Sequence, residues 1–177
     1  MPDQIPPTRS IETDETTDSE STLELTSVET RDRVIRLAFG GDRGRYDDFI
    51  RVLREAIPPD VAIVLRGSAV TGTRWEDGAP FDADGPGSSD LDLTLIGGGM
   101  VNHFDVFYIP GLHTAPLSDA HPDASATFIP LRKALCRIAG RPVNIQATAD
   151  LVQFLRDKVM SQPYFVMVHK DDAKAED

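Results

Sequence analysis

Val61-Ala62-Ile63-Val64-Leu65-Arg66-Gly67-Ser68 is a run of five apolar residues closed by an arginine and a Gly-Ser turn. The run is too short for a helix, follows Pro58-Pro59 and ends at Gly67, so it reads as a buried strand. The glycine lets the backbone turn tightly and approach an anion closely. Ser68 adds a hydroxyl and an amide at the start of a short helical turn, Ser68 to Gly72, where helix starts favour negative charge. Further on, Ser89-Asp90-Leu91-Asp92-Leu93 leads into a second strand, Leu91 to Ile96, closed by Gly97-Gly98-Gly99. Strand alternation puts Asp90 and Asp92 on one face, about 7 Å apart along the backbone. Leu91, Leu93 and Leu95 take the other face, where a core needs them. Two carboxylates on one rigid strand suit Mg²⁺ or Mn²⁺, which take oxygen ligands and leave room for substrate phosphates.

Outward from these strands the pattern alternates between helix and strand. Tyr46, Phe49, Ile50, Leu53 and Ile57 recur on one helical face, and Pro58 stops the helix. A helix is also expected over Val28 to Phe39, ended by Gly40-Gly41. Residues 74–89 are dense in Gly, Pro and Asp and must form a loop. Phe104 to Ile109 is a candidate third strand, and 112–127 looks irregular. Ile129 to Ala139 reads as a helix with Leu131, Leu135 and Ile138 inward and Gly140 as its stop. Val143 to Ala147 reads as a strand, Asp150 to Met160 as a helix, and Tyr164 to Val168 as a last strand. The expected fold is α+β: one domain, residues 28–168, with a small mixed sheet flanked by helices. Residues 1–27 are expected to be a disordered acidic tail, and 169–177 a charged C-terminal tail.

Charge narrows the function. Residues 1–30 hold eight acidic side chains against Arg9 alone, which leaves −7 of the whole-chain −11 in that stretch. This sign repels a phosphate backbone, so no general nucleic-acid surface is expected. A nucleotide carried on a divalent cation is compatible with it. The single Cys136 makes no internal disulfide, and Cys/His spacing gives no zinc site. Neither an apolar run of about 20 residues nor a secretory leader is visible, so a cytoplasmic protein without a membrane partner is expected.

The two motifs in this order resemble the DNA polymerase β-like nucleotidyltransferase superfamily, marked by hG[GS] followed by a strand bearing [DE]h[DE]h. The matching residues are Leu65 to Ser68 and Ser89 to Leu93, and the resemblance spans about residues 45–168. It implies transfer of a nucleoside monophosphate from an NTP to an acceptor, here unknown. It further implies Mg²⁺ on Asp90 and Asp92 as metal-binding and catalytic carboxylates, and triphosphate contacts by Gly67 and Ser68. Arg66 and Arg74 flank the turn and are candidates for phosphate contact, with a plain surface position as the alternative for Arg66.

Two departures stand out. The 21 residues between Ser68 and Asp90 exceed the family's common spacing, and the excess falls in the loop from Trp75 to Gly87. That loop either covers the nucleotide, with Trp75 or Phe81 near the base, or is a solvated excursion. Many family members carry a third carboxylate on a later strand, and here its position falls on Asn144, with Gln146 on the same face. An amide carries no charge and cannot accept a proton as a carboxylate does. Asp105 is a substitute candidate for the missing charge, or simply exposed. The alternative function is therefore a catalytically impaired nucleotide-binding or antitoxin-like protein that works with a protein partner. Lys133 and Arg137 read as a solvated helix face and Cys136 as small core. His103, His113 and His121 lack ligand spacing.

Overall fold

The computed structural model describes residues 17–150, 152 and 163–170, of which 17–26 as backbone only. Strand β1 (Ala62–Arg66) pairs antiparallel with β2 (Leu91–Ile96), which pairs parallel with β5 (Val143–Thr148). Their register lines up two kinds of row across the sheet. Leu65, Leu93 and Ile145 form one row and Ile63, Leu95 and Ala147 another, all fully buried. On the other face, Val64, Thr94 and Gln146 stand between these rows, and Arg66, Asp92 and Asn144 stand beyond the Leu65 row. One face of the sheet is thus hydrocarbon, and the other carries polar groups.

Helices α2 (Arg43–Ala56) and α4 (Ile129–Ala139) cover the apolar face, contributing Phe49, Leu53, Leu131 and Leu135 to one continuous core. Asp42 caps α2 by accepting a hydrogen bond from the Arg45 N–H at 3.0 Å. Phe39 meets Tyr46 and Phe49 edge-on, with ring centroids 5.5 and 5.3 Å away. This closes the corner between α2 and α1 (Thr17–Ala38). The four-residue α3 (Ser68–Thr71) follows β1 directly. Arg33 of α1 donates to the Val70 carbonyl at 2.8 Å, tying the longest helix to that turn.

The sheet continues outward through β4 (His113–Thr114) to β3 (Phe107–Ile109) at one edge and ends at β6 (Tyr164–Val168) at the other, in the order β3-β4-β5-β2-β1-β6. Among the described residues this makes four helices and one six-stranded mixed sheet, an α+β fold in a single domain.

Several boundaries differ from the sequence reading. Helix α1 begins at Thr17, so its backbone reaches into the stretch expected to be disordered. Val34, Ile35 and Ala38 of its last turns are buried, the half to which periodicity pointed. Residues 1–16 lie outside the described residues, as do most of the expected helix Asp150 to Met160 and residues 171–177 of the charged tail. The candidate third strand is shorter than expected because Met100–His103 form a 3₁₀ turn and pairing starts only at Phe107. Ile138 is half-buried and Ala139 takes the inward place instead. No helix among the described residues is long and apolar enough to cross a membrane.

Candidate functional site

At the polar end of β2 the two carboxylates meet. Asn144 stands directly across from Asp92, and its side-chain amide donates to Asp90 Oδ2 at 2.6 Å and to Asp92 Oδ1 at 3.0 Å. Asp90 and Asp92 therefore point the same way, with one neutral donor held between them. Asp90 is exposed and Asp92 half-buried. Burial pushes the Asp92 carboxyl above the ordinary carboxylate range, and the negative charge of Asp90 pushes it further. The Asn144 hydrogen bond and the positive charge of Arg66 oppose that shift without cancelling it.

The Gly-Ser turn abuts this pair. Gly67 adopts φ +81° and ψ −160°, a conformation that L side chains rarely take. A Cβ there would stand 3.2 Å from Asp92 Oδ2, so the absent side chain is what lets the turn and the carboxylate share the space. Gly67→Ala is expected to cost about 1–3 kcal/mol through strain alone, read from urea unfolding. A loss under about 0.5 kcal/mol, the range of ordinary surface changes, would mean the turn relaxes freely. Ser68 opens α3; the Val70 and Thr71 N–H groups donate to the Gly67 carbonyl at 3.0 and 3.2 Å, while the N–H groups of Ser68 and Ala69 precede the first bonded turn. With only four residues, α3 adds little dipole; what it offers an anion is those N–H groups.

Arg66 lies in register beside Asp92, and its Nε donates to Thr94 Oγ1 at 3.1 Å. Gln146 Nε2 donates to the same oxygen at 3.0 Å. A fully buried threonine thus pins the arginine and the glutamine on the polar face. Arg66, Gly67 and Asp92 also line a cavity of about 210 Å³ together with Thr71, Thr73 and Trp75.

Other expected candidates fall elsewhere. Asp105 is exposed and precedes β3, which β4 and β5 separate from β2, so it cannot add charge beside Asp92. Arg74 is engaged with Asp84 at 2.6 Å, inside its own loop. Phe81 is buried under the Arg141 guanidinium, 4.6 Å from its ring centre. Lys133 and Arg137 are exposed, and Cys136 packs against the core.

Sequence reasoning missed the ion pair that fixes the chain at Ser89, just before Asp90. Asp82, at φ 58°, accepts hydrogen bonds from the N–H of Gly87 at 3.0 Å and of Ser89 at 2.9 Å. Its carboxylate also meets Arg141 in a two-pronged pair, at 2.9 and 3.0 Å. Arg141 donates in addition to the Ser89 carbonyl at 3.0 Å, on the residue preceding Asp90. The only local hint was the turn-rich Asp82-Ala83-Asp84-Gly85; nothing near Arg141 marks it as its partner.

Among the described residues no group of three or more His, Cys, Asp or Glu side chains could hold a metal ion. Two carboxylates still fit one Mg²⁺, an ion that takes one or two from the protein and completes its shell with waters and substrate phosphates. A second ion would need the charge that Asn144 does not carry. No family model, curated protein or solved structure matches this chain.

Proposed function

We propose that the chain is a Mg²⁺-dependent nucleotidyltransferase, moving a nucleoside monophosphate from an NTP to an acceptor not yet identified. The observation that carries this reading is the juxtaposition of Asp90 and Asp92, bridged by Asn144, with a glycine turn at which any Cβ would stand 3.2 Å from Asp92 Oδ2. Asp90 and Asp92 would hold the cation, which supplies charge neutralisation and orientation for the triphosphate. Gly67 and Ser68 would present backbone N–H groups to the phosphates, and Arg66 a fixed positive charge. In such a transfer an acceptor oxygen bonds to the α-phosphorus, the bond to the β-phosphate bridge breaks, and pyrophosphate leaves.

Asn144 favours a second reading, a protein that binds NTP and turns it over poorly, working through a protein partner. Its amide neither adds charge for a second cation nor takes the acceptor's proton, which would pass to solvent.

Thermal shift against ATP, GTP, CTP and UTP, with and without Mg²⁺, tests the common ground of both readings. A stabilisation that follows ligand concentration over Kd and needs the cation is expected. It should vanish in Asp90→Ala/Asp92→Ala, and identical behaviour of wild type and double variant would sink both. NTP consumption then separates the two, with Asn144→Asp expected to raise turnover if the missing carboxylate is the defect.

A further inference from the structure

Trp75 is the chain's single tryptophan and is 81% exposed, at the rim of the cavity that also holds Gly67 and Asp92. An indole left in water is a large apolar surface with no packing in return. The backbone that carries it is nevertheless well fixed. The Arg74 N–H donates to the Ala79 carbonyl at 2.7 Å, and Gly78 donates back to Arg74 at 3.0 Å. Thr73 pairs with Pro80, and the Arg74 side chain is held by Asp84 at 2.6 Å. A hydrogen-bonded hairpin thus presents an exposed aromatic side chain in the lining of the cavity that Asp92 also lines.

The cavity's size adds to this. At about 210 Å³ it is smaller than the roughly 300–1,000 Å³ that encloses a drug-sized ligand. One planar ring system fits such a space, while a phosphate chain would extend from it along the exposed Gly67 turn. Thr71, Thr73 and Glu76 line the same cavity and supply oxygen acceptors around its rim.

We infer that Trp75 is the stacking platform for the nucleobase of the NTP, so that the long loop after the Gly-Ser turn is a base-binding element. The inference rests on the nucleotidyltransferase reading for the placement of the phosphates, and it adds a residue and a ligand part which that reading does not specify. Stacking on an aromatic side chain tolerates every base, because each has a π face.

Since no other tryptophan contributes, tryptophan emission, excited at the red edge where the tyrosines do not absorb, reports on this position alone. The experiment titrates it with ATP, GTP, CTP and UTP in Mg²⁺, and with Mg²⁺ tripolyphosphate, which has phosphates and no base. Affinities are measured in parallel by calorimetry. Saturable quenching by the best-binding NTP is expected, with none from tripolyphosphate. Trp75→Ala should weaken that NTP about 5- to 150-fold and leave tripolyphosphate unchanged, while Trp75→Phe restores most of the affinity. If an NTP binds by calorimetry but emission is unmoved and Trp75→Ala binds equally well, the stacking role is wrong and the nucleotidyltransferase reading survives. Equal quenching by tripolyphosphate also overturns stacking. If neither NTP nor tripolyphosphate binds, the underlying reading fails and takes the inference with it.

Discussion

Arg141→Ala is expected to lower the unfolding free energy at pH 7 by about 3 kcal/mol, the cost of stripping one partner from a largely buried ion pair. The Arg141 side chain is 8% exposed and that of Asp82 20%. Truncation leaves Asp82 half-sheltered with no opposing charge and takes a donor from the Ser89 and Ala38 carbonyls. It also uncovers Phe81. Acid should reveal the same link. Burial alone would raise the Asp82 carboxyl, but the Arg141 hydrogen bonds, the Gly87 and Ser89 N–H groups and the guanidinium charge outweigh it and hold it at about 2. The ordinary value is 3.8. A depressed acid stabilises the fold above its unfolded value and loses that contribution as pH falls through the folded one. That contribution should therefore be present at pH 5 and above and fade between about pH 4 and 2. Asp82→Asn should remove this acid-sensitive part. Urea unfolding of wild type and both variants across this range decides the matter, and a loss below about 1 kcal/mol in Arg141→Ala would reduce the pair to the level of a surface contact. Because Ser89 precedes Asp90, the same variants should also loosen the chain at the Asp90 end of β2 and, if the proposed cation site is there, shrink its Mg²⁺-dependent shift.

Much of the fold was written in local pattern. Leu91 to Ile96, Ile129 to Ala139 and Tyr164 to Val168 have their expected ends, because Gly97, Gly140 and Pro163 punctuate them. The alternation that places Asp90 and Asp92 together needed only the strand assignment. What stayed unreadable were relations set by tertiary pairing. That Asn144 stands across from Asp92 depends on the register of β2 against β5, which no local signal fixes. That Asp82 finds Arg141 depends on two turns 59 residues apart. Helix α1 was legible where Val34, Ile35 and Ala38 reach the core. Asp105 fell away as a ligand because a strand's place in the sheet, here two strands distant from β2, is not encoded within the strand.

Asp92→Asn is expected to act in opposite directions on stability and on function. In the protein without cation, Asp92 carries a charge that burial and Asp90 both disfavour, so its carboxyl holds a proton more tightly folded than unfolded. An acid shifted that way favours folding at low pH, and the advantage disappears as pH rises from the ordinary carboxylate range through the raised value. At neutral pH the ionised pair is a standing cost to the fold. Asparagine removes the charge while its carbonyl oxygen can still accept the Asn144 amide at the Oδ1 position. The variant should melt higher than wild type in EDTA, and its melting temperature should no longer depend on the ionisation of residue 92. The same change deprives the site of half its charge toward Mg²⁺. The cation-induced thermal shift should then collapse, and any NTP turnover should fall at least about a hundredfold. The crossing of these two effects separates a functional carboxylate from a structural one. If Asp92 were merely an acceptor for Asn144, the asparagine would leave stability, cation response and turnover nearly unchanged. If it were a stabilising anion paired with Arg66, the variant would melt lower in EDTA. Only a charge kept against the preference of the fold predicts a more stable protein that no longer responds to the metal.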